Sequence, residues 1–147
     1  MRKEDILSHF ANAIIMGKEI FKNYEERAQD KELKKNLKDF ISSFDTQYHN
    51  LKKTMKRLNL EIEEDQTLLQ KNAILMEKIK TKTINNDFDL CITIIKAMNG
   101  ALVGALKYFR KCDCEMRSKL LETVQAIISN YENIMGKIKN YTLKSMC

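Results

Sequence analysis

The sequence EMRSKLLETVQAIISNYENIMGKIKNY, residues 115–141, decides the fold class. Its apolar residues recur at steps of three and four, which is the spacing of one face of an α-helix and not the alternation of a strand. An unbroken seam of this kind is typical of a long helix that packs lengthwise against other helices. The seam consists of Met116, Leu120, Val124, Ile127, Tyr131, Ile134, Ile138 and Tyr141.

The same period continues through most of the chain and predicts an all-α domain. Long helices are expected over about residues 6–29, 31–58 and 87–111, in addition to the one over about 115–141. A shorter apolar pattern predicts a helix over about residues 66–80, inside a long connection. Two helical hairpins joined by such a crossover predict an antiparallel four-helix bundle formed by the whole chain.

Polar residues mark the ends of the predicted helices. Asp30 can cap the second helix, and the Asn-Asn-Asp cluster at 85–87 can cap the third long one. Both hairpin turns are short, with two or three residues in the first and residues 112–114 in the second. The last residues, 142–147, are expected to be frayed.

Composition favours one helical domain and excludes several other classes. The 147 residues contain no Pro and 4 Gly, which argues against sandwiches and barrels rich in tight turns. Hydrophobic residues make up 44% of the chain, too many for a disordered tail. The net charge of +6 is distributed along helices with interleaved Lys and Glu, with no arginine-rich groove. Binding of nucleic acid or of an anionic surface is therefore a minor alternative.

The chain is predicted to be cytoplasmic, with no signal peptide and no membrane span. Polar residues interrupt the apolar positions of its first segment, so no unbroken leader sequence is present. The most apolar window, residues 88–109, contains Asp89, Lys96 and Lys107. Each such charge at the centre of a membrane helix costs roughly 2.5–3.5 kcal/mol. We therefore interpret this window as a buried core helix.

Two parts of the chain resemble a known family. The stretch GKEIF at 17–21, followed by DKEL at 30–33, is similar to the first hairpin of ferritin-like domains. Gly100 followed by ALKY at 105–108 is similar to their third helix. The resemblance is to the ferritin-like superfamily, and within it to uncharacterised bacterial four-helix domains. It covers roughly residues 5–140 by pattern and spacing, and it implies two hairpins with a short helix in the crossover.

The resemblance also implies a metal centre, for which the sequence lacks the ligands. Working members of the superfamily hold two metal ions with inward carboxylates and a Glu-x-x-His pair on two helices. The histidines here are His9 and His49, and Thr46 stands three residues before His49. At 100° per residue, His49 and Glu19 point away from the apolar stripes of their helices. We therefore predict no metal ligand and no cofactor, with iron or another divalent metal as the minor alternative.

The remaining chemistry-bearing residues do not form a recognisable site. The four cysteines, at 91, 112, 114 and 147, are expected to be free thiols. Cys112 and Cys114 are close enough to bind a soft metal or to react together, but a structural zinc site needs four ligands, so a helix-to-helix turn is favoured. No nucleophile-base pair or phosphate-binding loop is present. No catalytic residue is nominated, which disfavours an enzyme.

The third long helix has a second face of small residues. Two of these small residues are glycines, Gly100 and Gly104. A glycine lowers helix stability by about 1 kcal/mol relative to alanine, so its presence here suggests close approach of another backbone. Together with Ile94 and Val103 the small residues make the helix apolar nearly all round, so it must be covered on both sides, either by the crossover helix or by a second subunit. The small residues are Thr93, Ala97, Gly100, Ala101 and Gly104. The predicted core stripe on the other side is Phe88, Cys91, Ile92, Ile95, Met98, Leu102, Ala105, Leu106 and Phe109.

Three classes of function are compatible with these features. We favour a non-catalytic helical bundle that acts by self-assembly or by binding another protein. The alternatives are a ferritin-like metal-binding protein or oxidoreductase with unrecognised ligands, and a weak binder of nucleic acid or anionic surfaces.

Overall fold

The computed structural model describes residues 3–61 and 68–145, which form five α-helices and no strand. The predicted all-α class is therefore confirmed. The helices are α1 (Lys3–Arg27), α2 (Lys31–Arg57), α3 (Leu68–Thr81), α4 (Asp87–Arg110) and α5 (Cys114–Ser145). The predicted starts of α2 and α4 are correct, and most other ends differ by less than one turn. Residues 66 and 67 of the predicted crossover helix lie outside the described residues.

The last helix is longer than predicted. Fraying was expected after residue 141, but α5 continues to Ser145. The hydroxyls of Thr142 and Ser145 donate to the carbonyls of Ile138 and Tyr141, at 2.8 and 2.5 Å. Tyr141 itself is buried, so the helix is anchored by tertiary packing close to its end. Residues 146–147 lie outside the described residues.

Side-chain caps begin three of the helices, as the sequence predicts for two of them. Asp30 has an extended backbone, and its carboxylate accepts a hydrogen bond from Leu33 N at the start of α2. Asn86 accepts from Asp89 N at 2.8 Å at the start of α4. The Asp113 carboxylate accepts from Met116 N at 2.7 Å at the start of α5. Each cap satisfies a backbone N–H that has no partner within its helix.

The four long helices pack side by side, and neighbouring helices run in opposite directions. α1 lies against α2, and α4 lies against α5, as two hairpins. Contacts of α2 with α5 and of α1 with α4 join the hairpins. α3 packs against α1 and runs parallel to it, since Ile15 neighbours Ile74 while Asn23 bonds to Thr81 further along both helices.

One apolar cluster fills the interior between the long helices. All eight seam residues of α5 are at most 5% exposed, which confirms the prediction made from their spacing. Phe21 lies at the centre of the α1–α2 contact, with its ring edge-to-face on the rings of Tyr24, Phe40 and Phe44. Rings of this size dominate core energetics, and truncating one to alanine costs about 3–5 kcal/mol.

The predicted core stripe of α4 is wrong in part. Cys91, Met98 and Ala105 are buried, but Phe88 and Leu106 are 44% and 51% exposed. Leu90 and Ile94 are buried in their place. The buried face is thus rotated toward α1, to a side of the helix outside the predicted stripe. Because α4 is apolar almost all round, its periodicity does not define one face.

Candidate functional site

The most conspicuous surface feature is an apolar face of α4 that no described residue of the chain covers. Phe88, Val103 and Leu106 are 44%, 41% and 51% exposed. At 100° per residue, all three lie within about 60° of one another on the helix. Exposed apolar side chains that share one side of a helix are a feature of surfaces that contact other proteins or membranes.

The neighbouring helix extends this apolar surface. α5 returns antiparallel to α4 after a turn at residues 111–113, so Leu121 lies near the level of Val103 and Leu106. Leu121 is 46% exposed. We call Phe88, Val103, Leu106 and Leu121 the outer α4–α5 face. Half-buried apolar residues of both helices flank it, namely Ile92, Ile95, Leu102, Ile128 and Met135.

α4 also has a composition that a membrane helix could have. Within the described residues, Asp87–Arg110 is the one helix long and apolar enough to cross a membrane. Only 28% of the most apolar 18-residue window of α4 is buried. The prediction of a buried core helix at residues 88–109 is therefore correct only for the side of α4 that faces the core. Length and composition alone do not establish a span, because core helices of water-soluble proteins pass the same test.

The predicted face of small residues borders a cavity between α1 and α4. Ala97, Gly100, Ala101 and Gly104 line it, whereas Thr93 does not. The Thr93 hydroxyl instead donates to the carbonyl of Asp89 at 2.9 Å. Apart from the adjacent residues and the backbone of α4 itself, no atom of the described residues lies within 4 Å of the position that a Cβ would take at Gly100 or Gly104.

The structure tests one of the two elements predicted to cover these small residues, the crossover helix. The crossover helix was one candidate, but α3 packs on α1, and Gly100 is exposed. That alternative is therefore wrong for the described part of the crossover. Covering by a second subunit stays a prediction.

Two hydrogen bonds attach α3 to α1. The Tyr24 hydroxyl donates to the Glu77 carboxylate at 2.5 Å, and Asn23 Nδ2 donates to Thr81 Oγ1 at 2.5 Å. Burial, followed by the bond to Glu77, raises the pKa of Tyr24 far above its usual range, so this hydroxyl stays protonated. Tyr24 is also part of the buried core, and its place in the apolar pattern of α1 gives no indication of this bond. Glu77 gave no signal, because an isolated carboxylate on a helix is usually a surface ion.

The outward side of α3 is apolar and exposed. Leu75, Met76 and Ile79 are 55%, 64% and 50% exposed, and we call them the α3 outer arc. The apolar pattern that predicts this helix consists of Leu68, Leu69, Ile74, Leu75 and Ile79. Of the last three, only Ile74 is buried, against α1. The side chains of Leu68 and Leu69, also in that pattern, lie outside the described residues.

His9 stacks on Tyr108 where the beginning of α1 meets the end of α4. The two ring centroids are 3.3 Å apart, and the planes differ by 5°. Burial, with a smaller contribution from the Lys111 ammonium, lowers the pKa of His9 to about 4. The imidazole is therefore neutral at pH 7, where it offers one hydrogen-bond donor and one acceptor. His49, in contrast, is exposed on α2, as predicted.

The paired cysteines face different surroundings. Cys112 is buried and Cys114 is exposed, and both are free thiols, as is the buried Cys91. Burial raises the pKa of the Cys112 thiol, which disfavours the thiolate that binds metals or attacks disulfides. Cys112 lies in the helix-to-helix turn that the sequence predicts, but Cys114 is already the first residue of α5, which Asp113 caps.

The interior does not fit the metal centre that the ferritin-like resemblance implies. The described residues contain no group of three or more His, Cys, Asp or Glu that could hold a metal ion. Among them, the buried polar side chains are Asn12, Thr54, Thr81 and Asn130, none of which is a carboxylate or an imidazole. A di-metal site needs several inward carboxylates, and none of these buried side chains supplies one.

Comparisons of the chain with known proteins found no match to a family model, to a curated protein or to a solved structure. The function of the protein is therefore inferred from its own side chains and their arrangement.

Proposed function

We propose that this protein is a non-catalytic helical protein that self-assembles through the outer α4–α5 face. The exposure of Val103 and Leu106 on the most apolar helix of the chain carries this proposal. A fully buried Val or Leu contributes about 1.5–3 kcal/mol. The four residues of the face, with their half-buried neighbours, can offset an association cost of about 4–15 kcal/mol.

We propose further that α1, α2, α4 and α5 form an antiparallel four-helix bundle of ferritin-like topology. Two features support this topology. Neighbouring long helices run in opposite directions, and the connection from α2 to α4 carries a short helix along the outside of α1. A ferritin-like bundle with an apolar interior would use the architecture for association, without the metal chemistry of other members.

A face made of two adjacent helices suits a symmetric dimer. In a two-fold interface the same patch meets itself, so Leu106 of one copy would pack near Leu121 or Val103 of the other. The face is mostly apolar, with the exposed Asn99 among its residues, while the lysines of α4, Lys96 and Lys107, are exposed beside it. Repulsion between these lysines of two copies then disfavours other arrangements of the dimer, and it leaves the one in which the apolar residues of both copies meet.

Sedimentation of the full chain over a range of concentrations tests self-assembly. We expect the wild-type protein to be a dimer or a larger oligomer and the double variant Val103→Ser, Leu106→Ser to dissociate about a hundredfold more readily. Leu143→Ser is the control, because Leu143 is 69% exposed but lies outside the outer α4–α5 face. A wild-type protein that stays monomeric at its highest soluble concentration would contradict the proposal.

The α3 outer arc favours a second candidate function, binding to an anionic membrane surface. Its three apolar residues are flanked by four exposed lysines, at 71, 78, 80 and 82. The acidic residue of α3, Glu77, accepts the Tyr24 hydrogen bond on the inner side. An exposed apolar arc with flanking lysines is the pattern of helices that lie in a membrane interface, where each lysine contributes about 1 kcal/mol near anionic lipids.

Flotation with lipid vesicles tests this second candidate. We expect the protein to bind vesicles that contain phosphatidylserine, to ignore vesicles of phosphatidylcholine alone, and to lose binding as salt rises. The double variant Leu75→Ser, Ile79→Ser should abolish binding, while Leu143→Ser should leave it unchanged. Equal binding to both vesicle types, or none to either, would rule out an anionic membrane as the partner.

A further inference from the structure

A cavity of about 310 Å³ lies between α1 and α4. α1 and α4 are joined on either side of it. At one end His9 of α1 stacks on Tyr108 of α4. Beyond the other end, the Asp87 carboxylate of α4 accepts a hydrogen bond at 2.9 Å from N of Gln29, which lies in the turn after α1. Phe44 of α2 and Tyr131 of α5 also line the space between α1 and α4.

The lining of this cavity is apolar and uncharged. α1 contributes Ala13, Met16 and Ile20, and α4 contributes alanines, glycines and Met98. None of its lining residues is Lys, Arg, Asp or Glu. Polar side-chain atoms come from His9, which is neutral at pH 7, and from Tyr131. An anion or a cation would lose its hydration here without a compensating partner.

Three glycines shape the cavity in two different ways. A Cβ at Gly17 would lie 3.0 Å from the Phe44 ring, so Gly17 lets α1 approach α2 closely behind the cavity. Gly100 and Gly104 have empty space where a Cβ would be. They are not required for the packing of any described residue, yet each lowers the stability of α4 by about 1 kcal/mol relative to alanine. Their effect is to keep the cavity open.

The size of the cavity selects the kind of occupant. Ligand pockets of proteins measure about 300–1,000 Å³, and this cavity lies at the lower end of that range. A helix with its side chains is about 10–12 Å across. The His9–Tyr108 stack at one end of the cavity, and the bond from the turn after α1 to Asp87 beyond the other, leave no long groove between α1 and α4 for one. The space therefore suits a small molecule better than a protein segment.

We propose that the cavity between α1 and α4 is a binding site for one small, uncharged, mostly apolar molecule, such as a compact aromatic or branched hydrocarbon with at most one or two polar atoms. Its apolar part lies against Met16, Ile20 and the glycines of α4. A hydroxyl or carbonyl of the ligand reaches His9 or Tyr131. The site does not depend on self-assembly, because none of its residues belongs to the outer α4–α5 face.

Fluorescence titration of the full chain with 1-aminoanthracene, an uncharged aromatic probe, tests this site. We expect saturable binding of one probe per chain, and binding at least about tenfold weaker for its anionic relative anthracene-9-carboxylate. Gly104→Leu places a side chain in the open space and should weaken probe binding about tenfold or more. Gly136→Leu is the matched control on α5, since its Cβ also meets open space, and it should bind like the wild type.

Thermal unfolding and the Val103→Ser, Leu106→Ser variant separate loss of the binding site from loss of stability or of self-assembly. Gly104→Leu and Gly136→Leu should both be as stable as the wild type or more so, because leucine favours a helix over glycine. The variant Val103→Ser, Leu106→Ser should retain probe binding even if it becomes monomeric. Absence of saturable binding to the wild type, or equal binding to both leucine variants, would overturn the proposal. A Gly104→Leu variant that changes oligomeric state without affecting probe binding would assign the space to a second copy instead.

Discussion

The Tyr141 hydroxyl donates a hydrogen bond of 3.0 Å to the carboxylate of Asp30, 111 residues earlier in the chain. The same carboxylate caps α2, and the backbone N–H of Asp30 donates to the Asp87 carboxylate at 2.9 Å. One residue therefore links the beginning of α2 to the beginning of α4 and the end of α5. Burial, followed by the bond to Asp30, raises the pKa of Tyr141 to about 12, so the donor is present at all ordinary pH values.

Asp30 should be worth more than a simple helix cap. Asp30→Ala removes both the cap and the acceptor of the Tyr141 bond, and we expect it to lower the free energy of unfolding by about 2–3 kcal/mol. Tyr141→Phe removes only the donor and should cost about 1 kcal/mol. Urea unfolding of both variants and of the double variant measures the coupling. Strictly additive losses would contradict a shared hydrogen bond.

The Tyr24–Glu77 bond should control the attachment of α3. Tyr24→Phe leaves the ring in the core but removes the donor to a carboxylate, a bond worth about 1.5–3 kcal/mol. Amide hydrogens of α3 should then exchange about ten to a hundred times faster, while those of α4 keep the wild-type rate. Tyr131→Phe, at a buried tyrosine of α5, is the control. Uniform acceleration in all helices would show instead that the bond stabilises the whole fold.

His9 should make the protein less stable in acid. Its pKa is about 4 in the folded protein and near 6.5 when the chain is unfolded, so the unfolded chain binds more protons between these values. Its contribution is complete above pH 6.5 and is lost as the pH falls toward 4. His9→Phe keeps a ring on Tyr108 without a titrating group, so its melting temperature relative to the wild type should rise over that range. A constant difference between pH 7 and 4 would contradict the lowered pKa.

Substitution by alanine should change the stability of the protein in opposite directions at Gly17 and Gly136. At Gly17 the new Cβ would lie 3.0 Å from the Phe44 ring, which is 1% exposed and packed against Phe21. We expect Gly17→Ala to destabilise the protein by about 1–2 kcal/mol, since a confined ring has little room to move. Gly136→Ala meets open space and should stabilise it by up to about 1 kcal/mol. Chemical unfolding of the two variants gives the comparison directly.

The cysteines should differ in reactivity. In a Cys147→Ser background, a thiol reagent should modify one cysteine of the native protein quickly, namely the exposed Cys114. Cys91 and Cys112 are buried with raised pKa values and should react only as the protein unfolds. Rapid loss of two thiols, or formation of a Cys112–Cys114 disulfide, would contradict this arrangement.

Sequence periodicity predicts an element well when one of its faces is apolar and the other polar. α5 has such a pattern, and every predicted seam residue from Met116 to Tyr141 is buried. α4 does not, and its face was misjudged because apolar residues surround the helix. The side of α4 that is buried depends on where the neighbouring helices pack. The spacing of apolar residues within α4 does not predict the position of α1.

The candidate sites depend on contacts between residues far apart in the chain. The small residues of α4 were identified from the sequence, but the cavity they border also requires Met16 and Ile20 of α1. The stacking of His9 on Tyr108 joins residues whose separate patterns resemble ordinary helix surface and ordinary core. Only the three-dimensional packing brings such groups together.

The opposite directions of the neighbouring long helices also affect how the molecule presents itself to other charges. The positive end of each helix macrodipole lies beside the negative end of its neighbours, so these dipoles largely cancel at both ends of the structure. The electrostatic potential around the protein is then determined by side chains, with a formal charge of +6. That excess repels other copies at long range and leaves short-range contact between apolar surfaces as the force that can hold two copies together.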